Sequence, residues 1–284
     1  MIRSLLLALV AILPAQELHL PNNKDSFHFA VIGDTGTGKR PQYEVGARLE
    51  EFRQVFPFDC VVMMGDNLYG GESPRDYVEK FERPYAKTLD ANVKFYAVLG
   101  NHDDPNQRNY KKFNMNGKRF YTFRPARGIR FFALDSNYPS REQLEWLGKE
   151  LADSGSDWKI PFFHHPLYSS GDKHGANDEL RAVWEPLFVR YGVSVVLAGH
   201  EHFYERIKPQ KGIVYFIVGS SAQLRKGNIN KTDQTALGFD TDNAFMLCEI
   251  AGDKMYFQAI SRTGSTIDKG VIERNPGQAR PQSP

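Results

Sequence analysis

Five short apolar runs in this 284-residue chain stop on residues that can hold a cation. They read VIGD, MMGD, VLGN, FFHH and LAGH, and they deliver Asp34, Asp66, Asn101, His164 with His165, and His200. Tyr69 follows the second aspartate in GDNLY, His102 follows Asn101, His202 closes GHEH, and His174 stands in the polar stretch YSSGDKHG. Two carboxylates, an amide oxygen, several imidazoles and no thiolate suit iron, manganese or zinc better than the all-oxygen site calcium prefers. Taken singly, each residue has an ordinary use: an Asp after a strand caps a helix, a His is a hydrogen-bonded surface or core residue, a Tyr fills a core. Their shared position gives the set its meaning.

The first run also admits a competing chemistry. In VIGDTGTGKR, Gly33, Gly38 and Lys39 fit the G-x-x-x-x-G-K pattern of a phosphate-binding loop, which needs Ser or Thr next so that a hydroxyl reaches magnesium. Arg40 stands there instead, and it offers a metal no oxygen. A phosphate loop would also account for the first run alone and leave the other four unexplained.

The elements that must position these residues are legible in the periodicity. Short runs rich in Val, Ile and Phe alternate with longer amphipathic stretches, as in α/β units around a buried sheet. FHFAVIGD, helix-like YEVGARLEEFRQVF, DCVVMMGD, a helix-like stretch from Pro74 to Leu89 and NVKFYAVLGNH open the chain; RFYTFRP, GIRFFALD, REQLEWLGKEL, DWKIPFFHHP, DELRAVWEPLFVRY and GVSVVLAGHEH come next. GIVYFIVG, NAFMLCEIAG, KMYFQAISRTG and STIDKGVIER read as β segments between glycine-bearing turns, and predict a second sheet packed on the first. In an open α/β sheet the carboxyl ends of the strands form the crevice where ligands bind, so residues far apart in sequence converge there. Glycine precedes the ligand-type residue in four of the five runs, which permits a sharp exit from the strand and close crowding of loops.

Composition bounds the rest. With 41% hydrophobic and 25% charged residues, the chain sits among soluble globular proteins. A net charge of +2 leaves no basic surplus for nucleic acid, and no segment is long enough to span a bilayer. The start, MIRSLLLALVAILPAQ, reads as a short secretory signal over residues 1–15, which implies a secreted or periplasmic protein. The pattern predicts one domain over residues 16–273 and a disordered tail over the polar residues 274–284. Cys60 and Cys248 lie in strand-like runs and read as buried free thiols, with a single bridge between them left open.

The motifs carry a resemblance. GDTG at 33–36, GDNLY at 65–69, GNHD at 100–103, HHP at 164–166 and GHEH at 199–202 resemble the calcineurin-like metallophosphoesterases and, more narrowly, the purple acid phosphatases in their small single-domain form. The likeness runs from about Phe27 to Gly219. It implies an α/β fold, a four-layer αββα sandwich of two mixed β-sheets, with two metal ions at the strand ends. Most metallophosphoesterases carry a histidine two residues after the first aspartate, where this chain has Gly36; purple acid phosphatases use a tyrosine instead, matched by Tyr69. The resemblance implies Asp34, Asp66, Tyr69 and His202 on a ferric ion, and Asp66, Asn101, His164 and His200 on a divalent iron, zinc or manganese. A phenol, with a pKa near ~10, yields its proton only to a strongly charged cation, which suits the trivalent ion.

The implied reaction is hydrolysis of small phosphate monoesters by metal-activated hydroxide, with His102 and His174 as the further catalytic residues and no nucleic-acid or membrane partner. His165 is left as a neighbour. The short link from LDSNYPS into REQLEWL lacks the restraining insertion of animal-type members, which implies activity without proteolytic processing. A phosphodiesterase on the same fold, a phosphate-loop nucleotide hydrolase and a non-catalytic binding protein are the alternatives.

Overall fold

The computed structural model describes residues 17–230 and 232–275; the signal expected over residues 1–15 lies outside them. Two mixed sheets form the centre of the molecule. The first has six strands in the order β13-β12-β11-β1-β2-β3 and the second seven in the order β10-β8-β9-β7-β6-β5-β4. In the first sheet, β1 (Phe27–Ile32), β2 (Cys60–Met63) and β3 (Lys94–Ala97) run parallel. β11 (Ala244–Ala251) pairs antiparallel with β1, followed by β12 (Lys254–Ser261) and β13 (Thr266–Glu273). The second sheet has a parallel centre of β5 (Ile129–Ala133), β6 (Trp158–Phe162), β7 (Val195–Ala198) and β9 (Val214–Val218). β4 (Tyr121–Ala126), β8 (Tyr204–Ile207) and β10 (Thr235–Phe239) join it antiparallel.

Alternation along the strands sorts side chains into layers. On β5, Phe131 faces the first sheet, where its ring meets Phe29 edge-on at 5.2 Å. Its neighbour Phe132 faces outward with Leu147, Leu151, Trp184 and Phe188, from α4 (Arg141–Ala152) and α5 (Asp178–Arg190). Val45, Leu49 and Phe52 of α1 (Arg40–Val55) cover the other side of the first sheet. The order is helix, sheet, sheet, helix, as expected.

Three expectations need correction. The C-terminal segments do not build the second sheet: of the four, only β9 enters it, while β11, β12 and β13 extend the first from β1. The stretch from Pro74 to Leu89 is not one helix. It divides into α2 (Pro74–Tyr77), a π-helical turn over Val78–Glu82 and α3 (Ala86–Asp90); Pro84, which has no N–H to continue the ladder, separates the last two. The tail does not start at residue 274. Arg274 pairs with Asp253, and the Asn275 N–H donates to Ser194 Oγ at 2.7 Å.

Cys60 and Cys248 are free and buried. Both sit opposite Phe29, on the two sides of β1, so two strand spacings, about 10 Å, separate them. Bridged cysteines need Cα atoms within about 7 Å.

Candidate metal centre

The parallel strands of both sheets end at one place. β1 leads to Asp34, β2 to Asp66, β3 to Asn101, β6 to His164 and β7 to His200. The turns are made by the functional residues themselves: Asp34, Asp66 and His200 have φ of 54°, 51° and 69°, a left-handed conformation that costs free energy and concentrates at functional sites. The preceding glycines mostly provide room instead of curvature. A Cβ on Gly100 would lie 2.1 Å from Asp66 Oδ1; only Gly65 also needs a positive φ, 85°.

The donor atoms form two groups that share Asp66. In the first, ligand atoms of Asp34, Asp66 and His202 lie within 4.8 Å of one another, and Tyr69 Oη is 3.3 Å from both Asp34 Oδ1 and His202 Nε2. In the second, His164 Nε2 lies 3.0 Å from Asn101 Oδ1, 3.1 Å from His200 Nδ1 and 3.4 Å from Asp66 Oδ1. All seven residues singled out as ligands are therefore together.

The hydrogen bonding of His164 shows what this cluster fits. Its Nδ1 is 2.8 Å from the Met64 carbonyl oxygen, which only accepts, so Nδ1 carries the proton. Burial, and next His165, hold the imidazole pKa well below its usual value, so the ring is neutral and Nε2 presents a lone pair. That lone pair faces the Asp66 carboxylate and Asn101 Oδ1. The contact with Asp66 is no ion pair; acceptors converge, and a cation is what such an arrangement fits. The first group makes the same case. Burial and then Asp66 raise the Asp34 carboxyl well above its usual range, and burial followed by Asp34 and Asp66 pushes the Tyr69 phenol far up. A cation opposes both shifts and favours the charged, ligating forms.

His165, left out of the expected ligands, has a ligand atom within 4.8 Å of those of His164 and His200, while His102 and His174 flank the cluster. His102 is exposed, its ring 5.0 Å from that of Tyr69, and its N–H donates to Asp66 Oδ1 at 3.0 Å. The His174 and His165 rings each lie 4.4 Å from the His200 ring, and with it they line a groove of about 300 Å³ that runs to the start of α5. His165 is hydrogen bonded to Ser136 through Nδ1 at 2.9 Å. A cleft of about 500 Å³ beside α1 and α3 is larger but gathers no such donor set.

The 33–39 loop does not cradle phosphate. Its N–H groups are spent within the protein: Asp34 donates to Gly65 O, Thr35 and Gly36 to Asp66 O, Thr37 to Thr35 O, Gly38 to Gln42 Oε1 and Lys39 to Thr37 Oγ1. Pro41 has none to give.

Two residues to which the sequence pattern gives no role support the site. Asp103 accepts from the N–H groups of Asn67, Leu68 and Gly100 at 3.1, 3.0 and 2.8 Å, tying the Asp66 loop to the Asn101 loop. Glu201, buried between His200 and His202, accepts from Gly175 N–H at 2.7 Å. Both stand inside the motifs GNHD and GHEH, and that adjacency is the signal the sequence offers.

Comparison with known proteins agrees with this geometry. The sequence model of the calcineurin-like phosphoesterases matches residues 27–204. The chain belongs to this family. Among its relatives, human tartrate-resistant acid phosphatase type 5 is 26% identical over 95% of this chain and 98% of its own, and the rat protein of the same name 24% identical over 91% and 94%. Purple acid phosphatase 15 of Arabidopsis thaliana is 30% identical over 72% of this chain and 46% of its own. Among solved structures, the yellow lupin purple acid phosphatase PPD1 aligns with a TM-score of 0.67 at 18% identity, over 90% of this chain and 55% of its own. GAP50, the anchor in the inner membrane complex of Plasmodium, aligns with a TM-score of 0.77 at 19% identity, over 89% and 90%. These structural likenesses show the fold alone. As in other calcineurin-like phosphoesterases with purple acid phosphatase relatives, a dinuclear metal site is implied.

Proposed function

We propose that this calcineurin-like phosphoesterase is an acid phosphatase that hydrolyses small phosphate monoesters at a pair of metal ions. The carrying observation is the convergence of two donor groups, Asp34 with Asp66 and His202, and His164 with His165 and His200, whose ligand atoms lie within 4.8 Å of one another in each group, with His164 Nε2 3.4 Å from Asp66 Oδ1. Asp34, Asp66, Tyr69 and His202 hold the first ion, a ferric one, and Asp66, Asn101, His164 and His200 the second, a divalent iron, zinc or manganese. Tyr69 supports the ferric assignment, because two carboxylates beside it oppose a phenolate that only a strongly charged cation stabilises. When bound, such a pair polarises the phosphoryl group and makes water acidic enough to supply a nucleophile near neutral pH.

The protein does the rest by position. Met64 O fixes the His164 tautomer so that Nε2 faces the centre. Glu201 accepts the His174 N–H at 3.3 Å and keeps that imidazole against the His200 ring. His102 stands beside Tyr69 and His174 beside His200, at the edge of the donor set. There they donate hydrogen bonds to phosphoryl oxygens, and one of them gives a proton to the departing alkoxide. The apolar leading segment supports action outside the cytoplasm.

The test is turnover of p-nitrophenyl phosphate and of its bis-ester by the metal-loaded protein, before and after chelation. Monoester turnover lost on chelation and regained with iron plus a divalent ion is expected. Preference for the diester, or activity indifferent to chelation, refutes the proposal.

A further inference from the structure

Arg225 has no part in hydrolysis at the metal pair, yet it stands at the edge of that centre. It lies beyond β9 in a segment laid over the donor cluster: the Gln223 N–H donates to Asp34 O at 3.1 Å and the Arg225 N–H to His202 O at 2.9 Å. Its side chain is only 22% exposed. Even so, among the described residues its guanidinium donates no hydrogen bond. The nearest carboxylate, Glu201, is 3.5 Å from Nη1, and that nitrogen is buried without a hydrogen-bond partner. Other arginines of this chain behave differently; Arg53, Arg206 and Arg262 each reach a carboxylate at 2.7 Å. A guanidinium carries five donors, and donors this deeply placed are nearly always paired.

Two loops joined into one wall hold Arg225 in place. Gly171 pairs with Ile229 in an isolated antiparallel bridge. The Asp172 N–H donates to Asn228 O and the Asn230 N–H to Ser170 O, both at 2.9 Å. Glu201 fastens the unit from behind, accepting from Gly175 N–H on one loop and from Asn228 Nδ2 at 3.2 Å on the other. Gly171 leaves it the room to do so, since a Cβ there would lie 2.2 Å from Glu201 Oε1. His174 and Arg225 are thus presented by a single rigid element. The guanidinium also acts on a flanking group: burial and then Arg225 lower the His174 imidazole.

We propose that Arg225 selects substrates bearing a second anionic group, a carboxylate or a further phosphoryl group, on the alcohol side of the scissile phosphate. The planar fork of arginine matches either oxyanion through paired hydrogen bonds. Its backbone N–H is tied to His202 O, which sets the guanidinium at the edge of the donor cluster. The ion pair with Glu201, 3.5 Å from Nη1, holds one side of the guanidinium and leaves its other donors for a ligand. This inference rests on the phosphoesterase reading above.

The test compares phosphoglycolate with 2-hydroxyethyl phosphate, whose leaving groups are similar in size but differ by a carboxylate, using wild type, Arg225→Gln and Arg225→Lys with metal content measured on each. Wild type is expected to favour phosphoglycolate in kcat/KM by roughly 10- to 100-fold, the range for one hydrogen-bonded charge pair. Arg225→Gln removes most of that preference through KM at unchanged metal stoichiometry, and Arg225→Lys recovers part of it. Equal losses on both substrates, a preference that survives Arg225→Gln, or a wild type active on both without preference each overturns the inference alone. A wild type that hydrolyses neither overturns the functional reading and this inference with it.

Discussion

Replacing Asp103 by alanine tests the framework beneath the centre. The carboxylate takes three backbone N–H groups, from Asn67, Leu68 and Gly100, together with the side-chain amides of Asn67 and Gln107 at 3.0 and 2.9 Å. Asn67 and Leu68 directly follow Asp66, and Gly100 directly precedes Asn101, so one side chain sets the spacing of two ligand loops. Each buried donor left unpaired costs about 1–3 kcal/mol, which gives roughly 3–9 kcal/mol for the three N–H groups. Relief of an opposing term reduces this, because burial, and next Asp66, push the Asp103 carboxyl up to about 7. A net loss of about 2–5 kcal/mol is expected, a large share of the ~5–15 kcal/mol that holds an ordinary domain together. Urea denaturation of chelator-treated wild type, Asp103→Ala and Asp103→Asn at one pH measures it, with Asp103→Asn intermediate because its amide oxygen still accepts. An Asp103→Ala protein within about 0.5 kcal/mol of wild type would show that water replaces the carboxylate, and would refute the reasoning.

Four further outcomes are expected. Tyr69→Phe removes the visible charge-transfer band of the iron-loaded protein; a band that persists in its absorption spectrum contradicts the ferric assignment. Gly100→Ala forces a methyl to within 2.1 Å of Asp66 Oδ1, so bound metal measured by elemental analysis falls well below wild type while circular dichroism still reports a folded protein; full metal occupancy would count against the shared role of Asp66. Lys39→Ala leaves turnover within about twofold, since the exposed Lys39 lies in a loop whose amides are already bonded internally; a loss of activity would revive the phosphate-loop alternative. Thiol titration finds no reactive cysteine in the native protein and two after unfolding without reductant, because Cys60 and Cys248 are free and buried; titration of fewer than two would contradict the strand register around Phe29.

The donor set is legible from sequence because it obeys a local rule: an apolar run, then a polar residue at its carboxyl end. That rule places Asp34, Asp66, Asn101, His164 and His200 without any knowledge of pairing. Features that depend on distant partners are not legible in this way. Nothing local says that Ala244–Ala251 pairs with Phe27–Ile32 and not with the second sheet, and the short β8 and β10 escape notice because their runs, YERI and TALGF, are small and partly polar. Sequence alone assigns the curvature at the strand ends to glycine, whereas the left-handed residues are mostly the ligands themselves. Arg225 belongs to no motif, and it acquires meaning only from the two loops that carry it over His202.

The antiparallel pairing of β11 with β1 also bears on how the molecule is made. The strand that delivers Asp34 gains its second neighbour only after some two hundred intervening residues have left the ribosome, about 10–40 s of synthesis at ordinary elongation rates. Contacts of such long sequence separation form slowly. The nascent chain therefore stays an open, unfinished sheet for most of its translation, and the cation site closes only when nearly the whole polypeptide is present.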